Sequence, residues 1–243
     1  MLSDVRTVLA SKEGNIRKWA RPPSYAVIHD GSFDQQALQT LLSRINAATG
    51  VGAVSRSSQV LDLSSRLDSY PTKLRFKLLR AHTGDLVDRV IGLADGRDRY
   101  YGEVFIFQMP LRDLTYLAAL AEQGRSTRLI RELAEGRNPC FFSLYSRFDR
   151  LRHAFIFIDS GLSADDLHSC LYEEVMQTMG VLRDAIGSPY FTFDNTALNQ
   201  RQENDFDLLR ALYDPDIPPG APVEAVIQAF ARLRPDLVQQ TVR

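Results

Sequence analysis

The chain is short of most things that announce a function. Among 243 residues there are two cysteines, four histidines and one tryptophan. Two cysteines cannot form a four-thiolate zinc site or a dense disulfide scaffold. The histidines, His29, His82, His153 and His168, have no metal-ligand spacing and read as strand-end or surface residues. Charge of one sign is also missing: 29 basic residues face 30 acidic ones, for a formal net charge of -1. That balance argues against nucleic-acid binding, which needs a basic face to neutralise phosphates. No apolar run approaches the roughly 20 residues that span a bilayer; the longest, AFIFI at 154–158, is strand-sized. The opening MLSDVRTVLASKEG has no apolar h-region, so no signal peptide is expected in this chain. Gly50-Val-Gly52 lacks the third glycine of a dinucleotide loop, and neither a Walker loop nor a G-x-S-x-G elbow occurs.

What is present is an ordinary globular composition, 44% hydrophobic and 24% charged, in a chain long enough to bury a sizeable core. YAVI at 25–28 reads as a strand. Ser32-Phe-Asp-Gln35 fits a capping box before a helix striped by Leu38, Leu41, Leu42 and Ile45 and stopped by Gly50. LRFKLL at 74–79 starts in strict alternation, so one face is expected wet. Its basic side, Lys73, Arg75, Lys77 and Arg80, is a solvated strand face or the edge of a groove for an acidic ligand. VFIF at 104–107 and AFIFI at 154–158 are continuous apolar runs, the pattern of strands covered on both faces. Residues 111–135 read as helical, broken near Gly124, and FFSLY at 141–145 as a strand. After Asp159 the pattern turns to helices: one capped by Ser163-Ala-Asp-Asp166, one over 204–213 ended by Asp214-Pro215, and a last one opened by Pro222 and closed by Pro235. The fold class is α+β, a mixed twisted sheet followed by a helical C-terminal part.

The helix around CLYEEVMQTMGVLRD, residues 170–184, carries the chemistry worth weighing. At 100° per residue Cys170, Glu173, Glu174 and Gln177 share one stripe, while Leu167, Leu171, Tyr172, Val175 and Met179 spread over the other side. Such a stripe either faces water or lines a site. Its register parallels H-E-x-x-H-x-x-G-x-x-H, in which two histidines hold zinc, the glutamate takes a proton from metal-bound water, and the glycine turns the chain toward a third ligand. Here the glutamate (Glu174) and the glycine (Gly180) stand in place, and the histidine positions read Glu173, Gln177 and Arg183.

With the early Trp19, Thr49-Gly-Val51, C-x-x-E-E-x-x-Q-x-x-G and LLRALYDPDIPPG at 208–220, the chain resembles DUF2927. This is a bacterial domain of unknown function grouped with metzincin-like peptidases, and some of its members are described as lipoproteins. The resemblance covers most of residues 15–220, leaving 1–14 as an N-terminal extension and 221–243 as a C-terminal helix packed on the same domain. It implies a metzincin-like fold and a periplasmic or envelope location. SPYFTFDN at 188–195 would then supply the turn beneath the metal site, with Phe193 at the methionine position.

Zinc prefers imidazole and thiolate, so the altered stripe suits it poorly. No cofactor is therefore expected. The alternative is a divalent cation held by the oxygens of Glu173, Gln177 and Asp184. Without metal, Arg183 is expected to pair with Glu173 or Glu174, since two adjacent buried carboxylates otherwise repel and one tends to stay protonated. Glu173, Glu174, Gln177, Arg183 and Asp184 are thus candidates for a binding cleft, with Glu174 the only candidate general base. A protein or peptide partner would lie along FFSLY or AFIFI, as substrates lie along an edge strand in zincins. The even cysteine pair, with the suspected envelope location, leads us to expect a Cys140–Cys170 disulfide.

Overall fold

The computed structural model describes residues 1–9, 11, 14–29, 32–55, 61–62, 103–122, 127–183, 188, 190–191 and 202–239. In chain order its elements are α1 (Leu2–Leu9), β1 (Lys18–Trp19), β2 (Ser24–His29), α2 (Gln35–Thr49), β3 (Val54–Ser55), β4 (Leu61–Asp62), β5 (Glu103–Met109), α3 (Leu111–Glu122), α4 (Thr127–Ala134), β6 (Cys140–Arg147), β7 (Arg150–Asp159), α5 (Ala164–Thr178), α6 (Gln202–Leu212), α7 (Val223–Leu233) and α8 (Pro235–Gln239). The two continuous apolar runs are β5 and β7, which pair in parallel at the centre of the sheet. Beyond β5 lies β2, also parallel, and β3 and β4 pair with successive parts of β2. On the other side β6 returns antiparallel to β7 as a hairpin, while β1 pairs in parallel with Arg150 and Leu151 on the edge of β7 that β5 occupies further along. The fold is α+β, with a mixed, mostly parallel sheet and helices on both faces.

Period-2 geometry sorts the strand side chains. Tyr25, Val27, Val104, Ile106, Ala154, Ile156 and Ile158 point into the larger core, shared with α1, α2, α5, α6 and α7. Ala26, Ile28, Phe105, Phe107, Phe155 and Phe157 point the other way, under α3 and α4. Parallel strands joined by helical crossovers must be covered on both sides, so both sets are apolar and the runs look continuous. Rings on the second face stack in series, Phe141 on Phe157 at 4.8 Å and Phe157 on Phe107 at 5.5 Å between centroids. Val5, Val8 and Leu9 of α1 are fully buried in the larger core.

One local expectation is corrected. The cap of α2 is Asp34, whose carboxylate accepts from Ala37 N at 2.8 Å, and not Ser32; the carbonyl of Ser32 instead accepts from Gln108 Nε2 at 2.7 Å. As expected, Pro235 closes the helix that Pro222 opens: α7 ends at Leu233 with Arg234 as its cap; the same proline also opens the short α8. The other end of α2 follows expectation. Gly50 adopts φ 65° and donates to Asn46 O at 2.8 Å, while the Asn46 side chain exchanges hydrogen bonds with Ala53. The helical stretch 111–135 is two helices, and Gly124 lies outside the described residues, as do 74–79, the basic run Lys73 to Arg80, and His82.

Candidate functional site

The helix that carries Glu173, Glu174 and Gln177, α5, follows the end of β7. Ser163 Oγ accepts from Asp166 N at 3.2 Å and donates to the Asp166 carboxylate at 2.7 Å, satisfying a free backbone donor of the first turn. Leu171, Val175, Met176 and Met179 enter the larger core and Leu167 is half-buried at its margin. Tyr172 turns toward α6, its ring edge-on to Phe206 and its hydroxyl donating to buried Asp205 at 2.9 Å.

The polar stripe does not face water. Glu173 is 6% exposed, Glu174 4% and Gln177 2%. Buried carboxylates and amides demand compensation, and none of the three is left without a partner. The stripe begins at Cys170, which is bonded to Cys140, the first residue of β6, with Cα atoms 6.0 Å apart. The expected disulfide is therefore present, and it fixes the polar side of α5 to the antiparallel strand. Phe142 and Leu144 of β6 pack half-buried on the same core.

A second construction holds the far end of α5. Trp19 Nε1 donates to Thr178 O at 2.8 Å, and the hydroxyls of Tyr25 and Thr178 meet at 3.0 Å. Tyr213 OH donates to Met179 O at 2.8 Å and accepts from Trp19 N at 3.2 Å. Buried Lys18 donates to Leu212 O at 3.0 Å and Asp214 O at 3.2 Å, capping the carbonyl end of α6. Burial pushes the phenols of Tyr25 and Tyr213 well above their ordinary range. It lowers the Lys18 ammonium, with Asp214 pulling the other way. The motif glycine belongs to this construction: at Gly180, φ 109°, a Cβ would sit 2.2 Å from the carbonyl oxygen of Arg17. Trp19, Gly180 and the LYD of 212–214 are thus tied together by packing around the helix end.

The remaining candidates separate. Arg183 is exposed just past the helix, and among the described residues it forms no ion pair with Glu173 or Glu174. The helix ends at Thr178 and the chain turns at Gly180 before reaching Arg183. Asp184 and Phe193 lie outside the described residues. His168 is exposed and lines a groove of about 520 Å³ with Asp34, Arg44, Tyr172 and Gln202. His29 ends β2, and His153 stacks on Tyr145 at 4.4 Å. Among the described residues no group of three His, Cys, Asp or Glu side chains is arranged to hold a metal. Glu173, Glu174 and Gln177 would offer a cation oxygen donors only, a set suited to calcium or magnesium over zinc.

Sequence reasoning missed the buried tyrosine construction, in which Trp19 and Tyr25 reach partners more than 150 residues away, and the Tyr172–Asp205 contact. The signal available was the polar spacing of the LYD segment, which reads equally well as a helix end. No described helix is long and apolar enough to cross a membrane.

No curated protein and no solved structure matches the chain. A family model described as "Protein of unknown function (DUF2927)" matches residues 6–232, nearly the whole length. The chain belongs to the DUF2927 family.

Proposed function

We propose that this protein is a metzincin-like domain without peptidase activity, a binding or assembly module of the bacterial cell envelope that receives an extended segment of a partner protein along β6. The observation that carries the reading is the buried stripe Glu173, Glu174 and Gln177, in which Glu173 and Gln177 take the places of two zinc-binding imidazoles, and which is bonded through Cys170 to β6. A peptidase of this design uses metal to bring the pKa of bound water from about 15.7 to about 7. Carboxylates and an amide are poor zinc ligands, so a lone Glu174 has almost no hydroxide to deliver at neutral pH. The parallel sheet with one antiparallel edge strand beside the motif helix supports the metzincin-like assignment. The disulfide supports an oxidising compartment.

Of the two strands considered for a partner, β7 is paired on both edges by β5 and β6. Among the described residues β6 has one neighbour, so its outer edge is the one that can add a strand. A second reading is favoured by the burial of the carboxylates themselves: a hydrolase with Glu174 as base and an atypical cation on Glu173, Gln177 and Asp184.

Two measurements test these readings. Metal analysis of purified protein separates them: one tightly held divalent ion per chain, lost in Gln177→Ala, favours the hydrolase. Proline substitution tests the edge. Ser143 and Leu144 direct their N–H groups to opposite sides of the strand, so one of Ser143→Pro and Leu144→Pro removes an outward donor while the other breaks the β6–β7 ladder. Loss of partner binding in the variant that still folds supports the edge reading, and retention overturns it.

A further inference from the structure

The side of α5 away from the stripe opens on the groove between α2 and α5. At 100° per residue His168 and Tyr172 lie about 170° round the helix from the mean direction of Cys170, Glu173, Glu174 and Gln177. The groove they share with α2 and with Gln202 of α6 has a volume of about 520 Å³, within the range of roughly 300–1,000 Å³ typical of sites for small molecules. Leu41 and Tyr172 form its apolar floor, 7% and 4% exposed. The Tyr172 hydroxyl donates to Asp205, so its ring is what faces a ligand. The two ends of the α2 wall carry opposite charges. Asp34 caps the helix through one oxygen, Oδ1 to Ala37 N, and Arg44 follows ten positions later, about 15 Å along a helix axis. Arg44 is held in place: its guanidinium lies 4.1 Å from the Phe206 ring centre, Nη1 donates to Gln202 Oε1 at 3.1 Å and Nη2 to Glu203 Oε1 at 2.8 Å. Those bonds use two of the five N–H groups of a guanidinium. Glu203 is 73% exposed, and an ion pair so open to water is worth little, so Arg44 is positioned and can still meet a second carboxylate.

We propose that this groove binds a short peptide with free ends, its terminal ammonium at Asp34 and its terminal carboxylate at Arg44. A simple anion would be repelled by Asp34 and a simple cation by Arg44; a ligand carrying both charges at its two ends satisfies both. An extended chain spans at most about 3.3–3.6 Å per residue, so about four residues bridge the separation. Guanidinium forks match carboxylates in geometry. Between the ends Gln36, Thr40 and His168 present an amide, a hydroxyl and an imidazole, groups that both donate and accept and so suit peptide N–H and C=O. Apolar side chains of the ligand would lie on Leu41 and Tyr172. The groove lies apart from the stripe and from β6, so the proposal stands independently of the reading of that strand.

The test dialyses the full chain against pools of apolar dipeptides, tetrapeptides and octapeptides and identifies the retained species by mass spectrometry. The best tetrapeptide is then titrated by calorimetry with free ends, N-acetylated and C-amidated. The proteins are the parent, Asp34→Asn, Arg44→Gln and Glu174→Gln. Asparagine caps a helix as well as aspartate, so Asp34→Asn removes the charge and should melt with the parent. The expected result is retention of tetrapeptides over dipeptides. Acetylation and Asp34→Asn should each raise Kd about tenfold or more, and the two together no further than either alone. Amidation and Arg44→Gln should behave in the same way, and Glu174→Gln should bind as the parent does. Should Arg44→Gln fail to fold, the Asp34→Asn cycle decides alone. No retained tetrapeptide, dipeptides bound as tightly, or blocked peptides bound as well as free ones overturns the proposal. An acetylation effect that persists undiminished in Asp34→Asn also overturns it, and binding lost in Glu174→Gln would put the peptide on the stripe instead.

Discussion

Replacing Gly180 by alanine tests whether the motif glycine is there for packing. Two penalties are expected. The backbone is at φ 109°, a region that L side chains rarely adopt, and holding one there costs about 1–3 kcal/mol. The new Cβ would also stand 2.2 Å from Arg17 O and 3.3 Å from Leu212 Cδ2. A carbon–oxygen contact settles near 3.3 Å, so the Arg17 backbone must retreat by roughly 1 Å. Arg17 leads directly into Lys18 and Trp19, whose hydrogen bonds to Leu212 O, Tyr213 OH and Thr178 O would loosen together. At about 1 kcal/mol for each one or two bonds weakened, the total is about 3–5 kcal/mol, or a fall in Tm of roughly 6–20 °C for a domain this size. Gly50→Ala is the control: φ is 65° there and nothing lies within 4 Å of the added carbon, so only the conformational penalty of about 1–2 kcal/mol applies. Thermal and urea denaturation of both variants gives the difference. Gly180→Ala within about 1 kcal/mol of the parent, or equal to Gly50→Ala, would refute the packing argument.

Other consequences can be measured on the same material. Reducing the Cys140–Cys170 bond, which closes a separation of 30 residues, should cost about 3–4 kcal/mol in the chain-entropy model; two titratable thiols in protein purified without reductant would contradict the pairing. Leu171→Ala, at a side chain 5% exposed, should cost about 2–5 kcal/mol in urea denaturation, and a cost below 1 kcal/mol would mean the packed side of α5 is wrongly placed. Tyr25 and Tyr213 have folded pKa values raised by burial. The folded state therefore holds protons that the unfolded chain releases above about pH 10, and stability should fall by about 1.4 kcal/mol per pH unit for each tyrosine. Lys18, lowered by burial, acts in the opposite sense below about pH 10.5, so the full slope appears above that pH. Tyr213→Phe should remove about half of it in pH-dependent denaturation, and an unchanged slope would contradict the assignment.

Much of the fold is legible because a few local rules act alone. β5 and β7 read as continuous apolar runs since both their faces are covered, and α2 shows its buried stripe and its stop at Gly50 because each depends on neighbours in sequence. Where two residues compete for one role the reading slips. Ser32 and Asp34 are both good caps, and Asp34 wins. The site was harder. Glu173, Glu174 and Gln177 have the spacing of a solvated stripe, and only the elements brought over them bury it. That β6 has one neighbour among the described residues and β7 is paired on both sides is a matter of strand order, which neither FFSLY nor AFIFI encodes. The tyrosine construction joins Trp19, Tyr25, Thr178 and Tyr213 across the chain, so no local spacing reveals it.

The most direct test of the central claim is proteolysis itself. The parent protein and Glu174→Gln, each supplemented with zinc, calcium or magnesium, are incubated with a diverse peptide library, and the products are read by mass spectrometry. The account predicts no cleavage by either protein, with peptides still retained equally by both. Cleavage by the parent that vanishes in Glu174→Gln would contradict it and establish the hydrolase.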